Sequence, residues 1–177
     1  MRNLVVYVII VAGFVSCEDV VREHTNVDEL ESSNESIPNL LFNEVSFKSS
    51  DLNEFGEKSD WIELINASDE DIVLEKGKWC VSDRSDKFKF ELPEMRLASG
   101  ELLVVWCDGY DQIAEDIHAN FKLSAKGESV YLFYDGNLID EVTFEENEEQ
   151  AVAYARDSND FYDWVYVDSG TLNSPNF

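Results

Sequence analysis

Asp60-Trp61-Ile62-Glu63-Leu64-Ile65-Asn66 is an alternating stretch that is followed by the polar, turn-like residues 67–71. Successive side chains of a β-strand point to opposite faces. Ile62 and Leu64 therefore share one face, and the other face carries Trp61, Glu63 and Ile65. This pattern is typical of a half-buried strand. Because short aromatic-rich runs separated by turn residues lie around it, we expect this strand to be central in an all-β domain, a β-sandwich, rather than in an α/β enzyme.

Other runs of strand-like sequence predict further strands, at residues 40–47, 78–83, 87–90, 101–107, 129–134, 138–144, 151–155 and 164–167. Asp135-Gly136-Asn137 joins two of them and favours a tight hairpin, because positive φ is needed there. Trp79 is expected in the core, as a tryptophan early in a sandwich domain usually is. Residues 112–116 are expected to form a single helical turn.

The chain is strongly acidic, with 38 Asp and Glu residues against 13 Lys and Arg residues and a formal charge of -25. Its hydrophobic content of 44% is enough for a core, so most of the acids must coat the surface. Nucleic-acid binding needs Lys and Arg at phosphates, and here the basic residues are scattered singly among acids. We therefore expect no nucleic-acid partner. At 177 residues, one folded domain is expected.

Residues 1–16 have the features of a signal peptide: Arg2, then an apolar run from Leu4 to Val15 that is too short to span a bilayer. Phe14-Val15-Ser16-Cys17 resembles the lipobox of bacterial lipoproteins, although Phe14 stands where Leu is usual. The resemblance implies cleavage before Cys17 and a lipid on its thiol, which would attach the protein to a membrane. The alternative is an ordinary secretory peptide that is cut elsewhere, with Cys17 as a stray thiol.

Residues 17–39 are rich in acids and poor in aromatics, so we expect a flexible tether between the membrane and the domain. Acids directly after the cysteine resemble the export signal of lipoproteins displayed outside the outer membrane. The predicted location is therefore the outer membrane or cell surface of a Gram-negative bacterium, as an exported lipoprotein. Residues 40–177 form the predicted folded domain.

An ordered set of short motifs in this domain resembles the bacterial lamin tail domain. They are Asn43-Glu44-Val45, Asp60-Trp61-Ile62-Glu63-Leu64 with Asn66, Gly77 with Trp79, Ser82-Asp83, Leu103-Val104-Val105-Trp106 with Asp108-Gly109, His118 with Asn120-Phe121-Lys122-Leu123-Ser124, Gly127-Glu128 and Asp140. The resemblance covers residues 40–176 and implies an immunoglobulin-like β-sandwich. In it the structural motif residues would be Asp60, Trp61, Glu63, Asn66, Trp79 and Trp106. Ala155-Arg156 departs from the Gly-Arg common near the last strands.

The sequence contains no nucleophile elbow, zinc-protease motif, phosphate-binding glycine loop or Cys-x-x-Cys. We therefore assign no catalytic residue or metal ligand and expect no cofactor. His118 could act as an acid–base group near Cys107 or Asp116, but a structural or surface role is favoured. Glu63 is expected to accept hydrogen bonds from a neighbouring loop or to sit half-solvated beside Trp61.

The sequence leaves two further questions open: a disulfide and the binding of Ca²⁺. Cys80 and Cys107 both follow a tryptophan, and they form either a disulfide in an oxidising compartment or two separate thiols. The acidic turns with Asp83 and Asp86, or Asp108 and Asp111, either bind Ca²⁺ weakly or are solvated loops, the latter being favoured.

The expected function is that of a non-catalytic binding or adaptor module, anchored by lipid at the envelope or cell surface, with an unknown protein or glycan partner. The lack of a catalytic set of residues favours it, and so does the resemblance, because lamin tail domains serve as adaptor-like modules. The alternative is a small secreted hydrolase, or an accessory domain of a surface hydrolase system, in which His118 and nearby acids would act.

Overall fold

The computed structural model describes residues 39–146 and 151–176. The predicted signal peptide, Cys17 and all of the predicted tether except Asn39 lie outside these residues. The described part is built from β-strands and turns, and it contains no helix that could cross a membrane. The all-β prediction is confirmed.

Thirteen strands occur in the described residues. The first six are β1 (Leu40–Ser46), β2 (Trp61–Asn66), β3 (Ile72–Leu74), β4 (Trp79–Ser82), β5 (Phe90–Glu91) and β6 (Met95–Leu97). The remaining seven are β7 (Leu102–Trp106), β8 (Gln112–Ile113), β9 (Ile117–His118), β10 (Gly127–Tyr134), β11 (Asn137–Glu145), β12 (Ala153–Arg156) and β13 (Trp164–Val167).

Two sheets pack face to face as a sandwich. The larger has the order β13-β12-β1-β2-β7-β9-β8, and the smaller has the order β11-β10-β4-β5. All pairs are antiparallel except β7 with β9, and a separate two-stranded sheet joins β3 to β6. One cluster of buried apolar side chains fills the space between the sheets, with Phe42 and Leu64 from the larger sheet and Trp79, Val81 and Leu132 from the smaller.

β2 is the central strand of the larger sheet, as predicted, but it is buried on both faces rather than one. Trp61, Ile62, Glu63 and Leu64 are all inaccessible to solvent. Ile62 and Leu64 face the core. The opposite face is covered by residues 169–176, here called the closing segment, whose Asn173 backbone donates to Glu63. A chain segment distant in sequence thus buries the face that the alternating pattern left open.

The hairpin prediction is confirmed. Tyr134 of β10 pairs with Asn137 of β11, and the two turn residues between them, Asp135 and Gly136, have φ of 47° and 81°. Gly136 takes this conformation without strain because it lacks a Cβ.

The helical turn predicted at residues 112–116 is wrong. Gln112 and Ile113 instead pair with His118 and Ile117 in a small antiparallel hairpin, which follows directly on Asp111 with its φ of 56°. β6 was not among the strands predicted from the sequence, and it lies between Pro93 and Gly100, which are residues typical of turns. Its three residues pair with β3 outside the main sheets.

Arg156 of β12 links strands of both sheets. Its Nε donates to the Phe42 carbonyl at 2.6 Å and one terminal nitrogen contacts Asp140 of β11 at 3.2 Å. Asp140 also accepts from the Phe42 backbone N–H at 2.9 Å. Phe161 and Trp164 stack against the guanidinium. Arg156 and Asp140 together therefore satisfy the carbonyl and the N–H of Phe42, next to the β-bulge of β1 between Phe42 and Glu44.

Candidate functional site

Two loops meet at one end of the larger sheet and enclose His118. The first, residues 48–59, turns around Asn53, whose side-chain oxygen accepts from the backbone N–H groups of Phe55 and Glu57 at 3.0 Å each. This local bonding favours a tight turn over a strand. It presents Glu54 and Phe55 toward the second loop.

The second loop, residues 107–111, connects β7 to the β8–β9 hairpin, whose turn carries Asp116. Trp106 and His118 are paired in the parallel ladder of β7 with β9, which places the imidazole beside the end of the central strands. Trp106 Nε1 donates to Asp116 Oδ2 at 3.0 Å. Asp116 is in the turn of the β8–β9 hairpin, and one of its carboxylate oxygens lies within 4.8 Å of a ring nitrogen of His118.

His118 is fully buried, and its two ring nitrogens have different neighbours. Nδ1 lies 2.6 Å from Asp108 Oδ2, which also accepts from Asn53 Nδ2 at 3.2 Å. Nδ1 therefore faces a carboxylate, and Nε2 is the ring nitrogen that faces the rest of the cluster. Nε2 lies 3.3 Å from Glu54 Oε1, and within the described residues neither of these buried atoms has a hydrogen-bond partner.

An exposed aromatic pair covers the entrance to His118. The Phe55 ring lies 5.1 Å from the imidazole and 5.4 Å from Tyr110, in an edge-on contact. Tyr110 donates to Glu57 at 2.6 Å. Phe55 and Tyr110 remain 49% and 47% exposed, and Ile113 nearby is 55% exposed. The loops thus hold a rigid apolar surface in solvent beside a buried polar group.

The other motif residues have structural surroundings. Asn66 Nδ2 donates to the carbonyls of Glu70, Leu97 and Ala98, which fixes the turn after β2. Asp60 accepts from the Ser49 backbone, and Trp61 Nε1 donates to Asp51 at 3.0 Å. Trp79 is a core residue, as predicted. Of the six motif residues, Trp106 is the one that contacts the site.

Glu63 and Glu44 are opposite each other on β2 and β1, beneath the closing segment. Asn43 Nδ2 and the Asn173 backbone each donate to Glu63 at 2.8 Å, which confirms the prediction that this residue accepts from a loop. Burial raises the pKa of Glu63 to about 7, against the effect of these donors. Burial also raises the pKa of Glu44, although Thr171 donates to it. Both carboxyls therefore serve the packing of the closing segment.

Cys80 and Cys107 are free thiols rather than a disulfide, which corrects the first alternative above. Cys80 lies on β4 of the smaller sheet, and Cys107 follows β7 of the larger one. Burial raises the pKa of both thiols, that of Cys107 far above its ordinary value. Within the described residues, neither thiol hydrogen-bonds to His118.

The acidic turns considered for Ca²⁺ have protein partners. Asp83 contacts Lys89 at 2.6 Å and Asp86 contacts Arg84 at 3.0 Å. Asp108 is directed toward His118, while Asp111 is exposed.

Glu54, which lies next to His118, was missed in the sequence because it is far from His118 along the chain. Asp116 was named as a neighbour of His118, from which it is two residues away in the sequence.

The Lamin Tail Domain family model matches residues 33–146. The match includes β1 to β11 and every residue of the site. β12, β13 and the closing segment lie beyond it, although β12 pairs with β1 in the larger sheet. No curated protein matches the chain.

Proposed function

Because the chain belongs to the lamin tail domain family of non-enzymatic, immunoglobulin-like domains, we propose that it is a binding module anchored to the cell envelope by a lipid on Cys17. One observation supports binding above the others: the exposed Phe55–Tyr110 pair is held by loops that are bonded to the sandwich. Rigid exposed aromatics lose little conformational entropy on contact with a protein or a glycan.

The alternative of a small secreted hydrolase has less support from the geometry. The 2.6 Å contact of His118 with Asp108 is that of a base with its orienting acid. However, the free nitrogen faces Glu54, and no Ser, Thr or Cys side chain of the described residues hydrogen-bonds to it. The alternative role as an accessory domain of a surface hydrolase system is a binding role, and it shares the same surface.

Anchoring is tested with full-length protein expressed in a Gram-negative host. The wild type should fractionate with membranes, and intact mass spectrometry should show a mature chain that begins at Cys17 and carries acyl chains. Cys17→Ser should move the protein out of the membrane fraction, because two or more acyl chains provide most of the attachment. Cys80→Ser is the matched control and should stay with the membrane. A wild type that is cleaved elsewhere and not lipidated would contradict anchoring.

Binding is tested by chemical cross-linking on intact cells, followed by recovery of the full-length protein. We expect a specific protein or glycan adduct that is lost when Phe55 and Tyr110 are both replaced by Ala. Phe88→Ala is the control, because Phe88 is exposed to a similar extent, 55%, on another part of the surface. Equal recovery from all three proteins, or no specific adduct with the wild type, would contradict this role for the aromatic pair.

A further inference from the structure

We propose that Glu54, Asp116 and His118 bind one divalent transition-metal ion of the zinc class. Nε2 of His118 and one carboxylate oxygen from each acid all lie within 4.8 Å of one another. Two acids and a histidine near each other would be unremarkable in so acidic a chain. This cluster differs from the other acidic loops because two of its ligand atoms, His118 Nε2 and Glu54 Oε1, are buried without a hydrogen-bond partner within the described residues.

The unpaired atoms of the cluster point to a cation. His118 has no exposed surface, its Nδ1 is bonded to Asp108, and its Nε2 faces Glu54 Oε1 at 3.3 Å. Neither Nε2 nor Glu54 Oε1 has a hydrogen-bond partner within the described residues, and leaving such a buried atom without one costs about 1–3 kcal/mol. A metal ion between them satisfies both atoms at once.

The spacing agrees with a shared ion. Zinc binds imidazole nitrogen and carboxylate oxygen at about 2.0–2.2 Å, so two ligand atoms of a tetrahedral ion lie about 3.4 Å apart. The 3.3 Å between Nε2 and Glu54 Oε1 fits this value. The Glu54 side chain is 14% exposed, which leaves a path for the ion and a remaining position for water.

The residues around the three ligands act as supports. Asp108, which is bonded to Nδ1, would orient the ring and make Nε2 a better metal ligand, as outer carboxylates do for metal-bound histidines. Trp106 Nε1 orients the Asp116 carboxylate at 3.0 Å. The Phe55 ring shields the imidazole from one side. A site that contains an imidazole favours zinc-class ions over Ca²⁺ and Mg²⁺, which prefer oxygen ligands alone.

The site is independent of the proposed binding role and is tested by a separate readout. Untagged full-length protein is stripped with a chelator and titrated with Zn²⁺ by calorimetry, with Ca²⁺ and Mg²⁺ in parallel. We expect saturable binding of one Zn²⁺ per chain and at least about tenfold weaker binding of the other two ions. Nitrogen NMR should show the Nε2 resonance of one of the two histidines shifting with Zn²⁺.

Glu54→Gln and Asp116→Asn test the assignment without removing the buried ring. Each should weaken Zn²⁺ binding by about tenfold or more, while the thermal melt of the metal-free protein confirms that the variant is folded. Glu115→Gln is the control, since this exposed acid is next to Asp116 but outside the cluster, and it should bind as the wild type does. Equal binding in all four proteins, or an imidazole protonated on both nitrogens in the presence of equimolar Zn²⁺, would overturn the proposal.

Discussion

The Glu63 carboxyl lies on the central strand without solvent contact and opposite a second carboxyl, that of Glu44. Burial is the main cause of its raised pKa of about 7, and the nearby Glu44 adds to the effect. In the unfolded chain the same group titrates near pH 4.5. The folded state therefore holds a proton that the unfolded state releases between these two pH values.

Glu63 should make the fold less stable as the pH rises. Its stabilising contribution is complete below about pH 4.5 and is lost as the pH rises to about 7, a change of about 3 kcal/mol at 1.36 kcal/mol per pH unit. Urea unfolding of the wild type and of Glu63→Gln at several pH values measures this contribution. The difference in unfolding free energy should shift in favour of Gln by about this amount between pH 4.5 and 8. A difference that does not change with pH would contradict the prediction.

At the level of single residues, sequence reasoning succeeded where the cause is local. Alternation placed Ile62 and Leu64 together on one face, which is the face that packs in the core, and a loop was one of the two surroundings expected for Glu63. It could not find Glu54, because the contact with His118 depends on two loops that only the folded sheet brings together. Pairings of this kind leave no periodic pattern in the chain.

The closing segment is an element without regular structure that completes the larger sheet. Thr171 donates to Glu44 through both its backbone and its hydroxyl, and Asn176 donates to the Arg156 carbonyl at 2.8 Å. These bonds satisfy a buried carboxyl that no neighbouring strand reaches. The segment is therefore part of the fold rather than an appendage.

Thr171→Val should destabilise the domain by about 1–3 kcal/mol, because it removes the hydroxyl donor and leaves Glu44 underbonded at nearly constant volume. Thr143→Val is a matched control: its hydroxyl bonds to Ser129 on the exposed face of β11, and the change should stay within about 0.5 kcal/mol. Urea midpoints of the two variants give the comparison. Equal effects would show that the closing segment contributes little.

Strands and turns, like single residues, could be predicted where the cause is local in the sequence. The β10–β11 hairpin was predictable because the turn residues determine the backbone that joins the strands. The β8–β9 hairpin was not, since its strands have two residues each and the polar sequence between Asp111 and Asp116 fits a helical turn equally well. Short strands are defined by their partners rather than by their own residues.

On the scale of the whole molecule, negative charge is the dominant surface property. The chain has a formal charge of -25, and in the described residues some of its cations contact acids, as Lys89 contacts Asp83 and Arg96 contacts Asp71. Surface pairs of this kind contribute at most about 1 kcal/mol each. Repulsion among the remaining acids therefore opposes folding.

Added salt should stabilise the protein at neutral pH. Raising NaCl from about 0.01 to 0.15 M shortens the Debye length from about 30 to 8 Å and weakens the repulsion more than the few ion pairs. We expect a higher urea midpoint, with most of the gain at the lowest salt. Sucrose at the same osmolality controls for solute effects that do not depend on charge. A midpoint that falls with NaCl would contradict this expectation.

The order of strands in the larger sheet also determines when that sheet is completed. β1 lies between β2 and β12. Its pairing with β12 places Glu44 opposite Ala155. During synthesis, β1 cannot pair with β12 until most of the domain has been translated. Such distant pairings make folding slow. A newly made chain therefore stays unfolded for longer, and an unfolded chain is what the export proposed above would require.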